Sequence, residues 1–155
     1  MSKTNAIRII EANKIPHTTY NYEISEEDLS GITVANKIGA DPDSVFKTLV
    51  ATGDNTGTCV FCIPVTAELN LKKAASESGN KKIEMLKVKD LQSVTGYIRG
   101  GCSPIGMKKN FPTFIDETAQ IFEKIYISAG VRGTQVCLAP EDLRKGVNAA
   151  FADLI

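Results

Sequence analysis

The chain has 155 residues, 43% of them hydrophobic and 23% charged, an ordinary globular balance and enough for one domain to bury a core without disulfides or a structural metal. No apolar run approaches the roughly 20 residues that span a bilayer, and the opening MSKTNAIRII lacks the zones of a secretory signal, so one cytoplasmic domain over residues 1–155 is expected. Eighteen basic side chains balance eighteen acidic ones, which excludes wholesale polyanion binding and leaves that role to a local patch.

Thr4 can cap a helix over residues 5–13, where Ala6, Ile9, Ile10 and Asn13 recur at helical spacing until Pro16 stops it. Alternation places Tyr20, Tyr22 and Ile24 on one face of a strand over 17–24. A second helix over 32–38 ends at Gly39, and Asp41-Pro42 supplies the cap and first position of a short turn. Strands over 46–52 and 58–65 flank Gly-Asp-Asn-Thr-Gly, a hairpin signal. A basic helix over 71–78 stops at Gly79, and a shorter one covers 89–94. Strands over 124–128 and 134–138 enclose Ala-Gly-Val-Arg-Gly, and Pro140 opens a final helix. Helices and strands mix without regular βαβ alternation, so the expected class is α+β, a mixed, largely antiparallel sheet with surrounding helices.

Familiar catalytic and cofactor devices are scarce. Cys59 and Cys62 form a CxxC inside TCVFCIPV, but that run reads as a buried strand, where residues three apart face opposite sides. With one histidine and no second CxxC, no metal is expected, and four reduced cysteines suit a cytosolic protein. The histidine, His17, lies between a helix stop and a strand start and reads as a turn residue, leaving Ser103 or Cys102 without a base. Glycines at 96, 100, 101 and 106 fit neither a Walker loop nor a dinucleotide fingerprint, so no cofactor is expected.

What remains is the run TGYIRGGCSPIGMKKNFPTFID, residues 95–116, with four glycines and two prolines. Such a run serves either as a loop of tight turns or as backbone that approaches a ligand closely enough for main-chain N–H groups to bind it. Lys47, between Phe46 and Leu49, either faces solvent from an edge strand or supplies a fixed cation in a cleft. Between 71 and 110 there are nine basic residues against three acidic ones, whereas 20–45 is acidic. The basic sector, through Lys72, Lys73, Lys81, Lys82, Lys108 and Lys109, can meet a polyanion.

Five blocks in series, VFKTLV at 45–50, IPV and ELNLKKAA within 63–75, TGYIRGGCSPIGMKK at 95–109, FPTFID at 111–116 and ISAGVRG at 127–133, resemble the YbaK/prolyl-tRNA synthetase associated domain family of aminoacyl-tRNA editing proteins. The resemblance is greatest to bacterial deacylases that clear cysteine from proline tRNA. It implies catalytic roles for Lys47, Gly100 and Gly101, with the backbone through Cys102, Ser103 and Pro104 holding the terminal ribose and ester carbonyl. It also implies a pocket lined by Tyr22 and closed by Ser128, Gly130 and Arg132. Ser30 stands where cysteine-specific relatives often carry an aromatic residue, and Gln135 where some carry an acidic one. The implied partners are mischarged proline tRNA and prolyl-tRNA synthetase. In the cysteine-specific members the substrate's own thiol is thought to attack its ester, which would account for the missing nucleophile. Removal of another small residue such as alanine, or a non-catalytic role in binding tRNA or a synthetase, are the alternatives.

Overall fold

The computed structural model describes residues 3–155. The chain order is α1 (Asn5–Ala12), β1 (His17–Asn21), α2 (Gly31–Ile38), a 3-10 turn (Pro42–Ser44), β2 (Phe46–Gly53), β3 (Gly57–Pro64), α3 (Leu71–Ser78), β4 (Ile83–Met85) and α4 (Val88–Thr95). After the glycine-rich loop come β5 (Thr113–Asp116), a second 3-10 turn (Glu117–Ile121), β6 (Ile125–Ser128), β7 (Thr134–Leu138), α5 (Pro140–Gly146) and β8 (Ala150–Ala152). The α+β class and the mixed, largely antiparallel pairing are as expected. The strands divide between two sheets, however, with orders β1-β7-β6 and β4-β2-β3-β5-β8. The first is antiparallel throughout, and the second adds β5 and β8 in parallel to an antiparallel β4-β2-β3. A parallel bridge from Val45 to Tyr126 links them.

Local chemistry accounts for the element ends. The hydroxyl of Thr4 accepts the Ile7 N–H, that of Ser30 accepts the Thr33 N–H, and the Asn70 carboxamide oxygen accepts the N–H groups of Lys72 and Lys73. Helices α2, α3 and α4 each end at a left-handed glycine. The β2–β3 hairpin is held by Asn80, whose side-chain oxygen accepts from the amides of Asn55 and Thr56 at 2.8 and 2.9 Å.

Alternation along β3 builds two cores. Val60 and Cys62 face the three-stranded sheet and α1, among Ile10, Phe46, Ile115, Ile127, Val136 and Leu138. Cys59, Phe61 and Ile63 face α3 and the C-terminal segment, among Ala74, Ala75 and Leu154. The two CxxC thiols thus point into different cores. A smaller cluster of Val50, Tyr97 and Cys102 packs with Leu86, Leu91 and Met107 beneath the glycine-rich loop. No helix among the described residues is long and apolar enough to cross a membrane.

Three strands escaped the sequence reading. β4 and β8 have three residues each, too short for alternation to register, and β5 lies inside the run read as loop. In the other direction, the strand expected over 17–24 stops at Asn21, with one further bond in the same register, from the Tyr22 N–H to the Gly133 carbonyl at 2.9 Å. His17 is the first residue of β1 rather than a turn residue, its Nδ1 lying 2.9 Å from the Ile15 carbonyl.

Candidate functional site

The candidate site exists because β4 is short. It pairs with β2 only at Ala51–Gly53, followed by a bond from the Leu86 N–H to the Val50 carbonyl, so the stretch of β2 between that pairing and the Val45–Tyr126 bridge to β6 has no strand partner on that side. Residues 45–50 all line one cleft of about 570 Å³. Side chains from both faces of a strand share a cleft only where it wraps around the strand's edge. The Val45 carbonyl accepts from the Val65 N–H, and period-2 alternation turns the main-chain groups of Lys47 toward β3 and those of Thr48 outward, into the cleft. Lys47, half-buried, contributes a cation to the same wall.

Three other segments close the cleft. The start of α2 brings Leu29, Ser30, Gly31 and Ile32. Its approach depends on Gly31, because a Cβ there would overlap the Val65 side chain. The glycine-rich loop brings Arg99, Gly100 and Cys102. It is anchored from below by Tyr97, whose hydroxyl donates to the Ile105 carbonyl at 2.6 Å, and from the side by Arg132, whose Nε donates to the Arg99 carbonyl at 2.8 Å. Ser128 and Gln135, at the end of β6 and in β7, complete the inner wall.

Of the residues singled out in the sequence, Ser30, Lys47, Gly100, Cys102, Ser128 and Gln135 come together in this cleft. Tyr22 and Arg132 do not; they line a small neighbouring recess with Gly100, Asp28 and Lys37. Gly101 is buried, its Cα face pressed on the backbone of Val131 and Arg132 at 3.1 Å from where a Cβ would stand, and its N–H is spent on the Ile98 carbonyl at 3.0 Å. For the amides of Gly100 and Cys102 no partner is found among the described residues. The N–H groups the loop can offer are therefore those on either side of Gly101. Ser103 is fully buried and its hydroxyl accepts the Ile105 N–H at 3.2 Å; Pro104 is buried behind it. Gly130 packs on the Tyr97 ring, a supporting contact.

The six lysines of the basic sector lie in three places: the first turn of α3, the entry to β4, and the loop after Gly106. Lys73 meets Asp153 and the Ile155 carbonyl, Lys82 lies 3.8 Å from Glu84, and the Lys108 ammonium donates to the Ser93 carbonyl. Lys72, Lys81 and Lys109 are exposed.

The electrostatics of the cleft are simple. It carries two cations, Lys47 and Arg99, and no Asp, Glu or His lines it. Burial pushes the Cys102 thiol up to about 11, so it is protonated at neutral pH and a poor nucleophile. The Gln135 carboxamide oxygen is buried without a hydrogen-bond partner among the described residues, an acceptor that a ligand N–H or O–H would satisfy. Among the described residues no group of three or more His, Cys, Asp or Glu side chains could hold a metal. Sequence reasoning missed Thr48 and the apolar rim of Ile32, Met85 and Val88. It counted Arg99 only as general charge, although its position beside Gly100 was a usable signal.

Known proteins are similar to this chain in sequence and in fold. The model of the aminoacyl-tRNA editing domain matches residues 30–145. A protein of Enterococcus faecalis that carries the name "Putative Cys-tRNA(Pro)/Cys-tRNA(Cys) deacylase EbsC" is 52% identical over 152 residues, 98% of this chain and 93% of that protein. A proline–tRNA ligase of Shouchella clausii is 30% identical over 99 residues, 64% of this chain and 17% of the ligase. The crystal structure of the hypothetical protein APE2540 superposes with a TM-score of 0.88 at 20% identity, covering 97% of this chain and 99% of the other.

Proposed function

Because the chain belongs to the aminoacyl-tRNA editing domain family, we propose that it is a trans-acting deacylase that removes cysteine from mischarged proline tRNA by letting the substrate's thiol do the attack. The observation that carries this reading is the composition of the cleft: amides, a lysine and a buried acceptor, with no ionisable base and with its one thiol held protonated. Such a site can orient an ester and stabilise developing negative charge, but it has no group with which to generate a nucleophile.

In this mechanism the aminoacyl end enters with its carbonyl toward the Gly100 and Cys102 amides and Lys47. The Gln135 oxygen accepts a hydrogen bond from the α-ammonium group. The substrate sulfur bonds to its own carbonyl carbon, the carbon–oxygen bond to the ribose breaks, and the ribose oxygen takes up the proton that the thiol gives up. The products are a cysteine thiolactone and free tRNA. Lys47 and the amides act on the oxyanion of the tetrahedral intermediate, where each donor is worth about 2.7–4 kcal/mol in comparable sites. The match to part of a proline–tRNA ligase supports proline tRNA as the body that delivers the ester and the synthetase as a neighbour in the reaction. Alanine offers no thiol, so the same cleft would need a positioned water to release it.

The test compares release from cysteinyl- and seryl-tRNA on one tRNA body, with the cysteine product assayed for thiolactone. Serine is close in size, but its hydroxyl is a far weaker nucleophile at neutral pH. Rapid cysteine release with early thiolactone and slow serine release is expected. Comparable rates, or free cysteine without thiolactone at early times, would replace the substrate thiol with water.

A further inference from the structure

We infer that Tyr97 is a positioning residue for the deacylation, its hydroxyl and ring holding the glycine-rich loop at a set distance from the turn between β6 and β7; the inference rests on the deacylase reading for the reaction it serves. Tyr97 is buried and does not line the cleft. Its hydroxyl donates to the Ile105 carbonyl at 2.6 Å, which closes residues 97–105 into one loop with Gly100, Gly101 and Cys102 inside it. Within that loop the Gly101 N–H goes to the Ile98 carbonyl and the Ile105 N–H to the Ser103 hydroxyl. The amides of Gly100 and Cys102 are left over, and the Tyr97 bond fixes the frame that carries them. Burial raises the Tyr97 hydroxyl to about 12, so at neutral pH it keeps the proton it donates.

The same side chain is the stop for two separate loops. Gly106 and Gly130 both have left-handed backbone, φ 79° and 93°. A Cβ on Gly106 would stand 2.9 Å from the Tyr97 hydroxyl, and one on Gly130 would stand 2.9 Å from the Tyr97 ring, so only glycine lets both loops close on it. A second strut spans the same two points from the surface. At the start of α1 the Asn5 side-chain nitrogen donates to the Gly106 carbonyl at 2.9 Å, and the Thr4 hydroxyl donates to the Ala129 carbonyl at 2.5 Å. Residues 4–5 and residue 97 are distant in the chain, yet both join residues 105–106 to residues 129–130. One of those segments follows the Gly100 and Cys102 amides and the other follows Ser128, groups on two walls of the cleft. A misplacement of about 1 Å at such a site can cost on the order of a hundredfold in rate, so a slackened strut shows in the reaction before it shows in the fold.

The experiment measures single-turnover release of cysteine from cysteinyl-tRNA by Tyr97→Phe, Asn5→Ala and Asn80→Ala, with melting temperatures and ¹⁵N amide spectra of each. Tyr97→Phe keeps the ring and removes the bond to Ile105. It should lower the maximal rate by about tenfold to a hundredfold, leave the half-saturating concentration within about twofold, and shift the Gly100 and Cys102 amides. Asn5→Ala removes the outer strut and should move the same two amides, with a rate loss of about two- to tenfold, the range of one neutral hydrogen bond. Asn80→Ala frees the β2–β3 hairpin, outside the cleft, and should lower the melting temperature at least as far as Tyr97→Phe with little change in rate. A Tyr97→Phe protein with the parent's rate, a loss carried by half-saturation alone, or an equal rate loss in Asn80→Ala would each overturn the positioning role. If Tyr97→Phe does not fold, Asn5→Ala decides, and a parent-like rate with unmoved Gly100 and Cys102 amides overturns it. If the parent itself releases no cysteine, the deacylase reading falls, and the two amides alone then decide whether Tyr97 and Asn5 set the loop.

Discussion

Lys47 and Cys102 lie on the same cleft, and the physics of burial separates their roles. Lys47 is half-buried on the wall of the cleft, and in the proposed mechanism its side chain meets the ester carbonyl. Lys47→Ala is expected to lower the single-turnover rate of deacylation by about 2–4 kcal/mol of transition-state energy while the melting temperature stays near that of the parent. A variant with near-normal turnover would remove the lysine from the mechanism. Cys102 is 8% exposed, and burial holds its thiol up to about 11. Cys102→Ser should keep most activity, and no inflection assignable to this thiol should appear in the rate between pH 6 and 9. An acyl adduct trapped on Cys102 would make this a covalent enzyme instead. Both residues were legible as candidates in the sequence, because a lysine among apolar neighbours and a cysteine among glycines are anomalies of local pattern. Gln135 was legible only through the family resemblance. That its oxygen lacks a partner depends on side chains from distant parts of the chain.

At the scale of elements, the cleft depends on how close α2 comes to the end of β3. Gly31 is what permits it, since any Cβ there meets Val65. Gly31→Ala should destabilise the fold by about 1–3 kcal/mol, the range for overpacking, and should push the α2 end of the cleft outward, raising the Michaelis constant more than it lowers turnover. Val65→Ala in the same chain should recover part of both. If the single variant is as stable and active as the parent, the contact does not set the position of α2. Neither β4 nor the short unpaired stretch of β2 could be anticipated. A strand three residues long carries too few alternations to stand out, and a strand's neighbours are set by pairing rather than by its own residues.

The whole molecule has a charge and a titration behaviour that follow from its packing. Burial raises Cys62 and Tyr97 to about 12 and Cys102 to about 11, from ordinary values of 9.0, 10.0 and 9.0. In the unfolded chain these groups ionise first, so above pH 9 the folded state holds more protons than the unfolded one and stability falls with rising pH. Unfolding midpoints should therefore decline from about pH 9 toward pH 12, and Cys62→Ala should soften that decline; a profile flat over that range would refute the buried thiols as its cause. For the exposed lysines the proposed role is attraction of the tRNA at longer range. Lys81 and Lys82 stand at the hairpin end of β2, about 20 Å from Lys47 by strand rise. Reversing both to Glu should raise the Michaelis constant for aminoacyl-tRNA and flatten its salt dependence without changing the chemical step; an unchanged salt slope would place tRNA contact elsewhere. The α+β class, the helix caps, the β2–β3 hairpin and the family were determined by the sequence alone, because they rest on periodicity, on capping residues and on motif order, all local along the chain. Tertiary structure decided the division into two sheets, the open edge of β2, the diversion of the Gly101 amide to Ile98 and the burial that silences Cys102. Each of these depends on which distant segments lie alongside, and no local pattern carries that information.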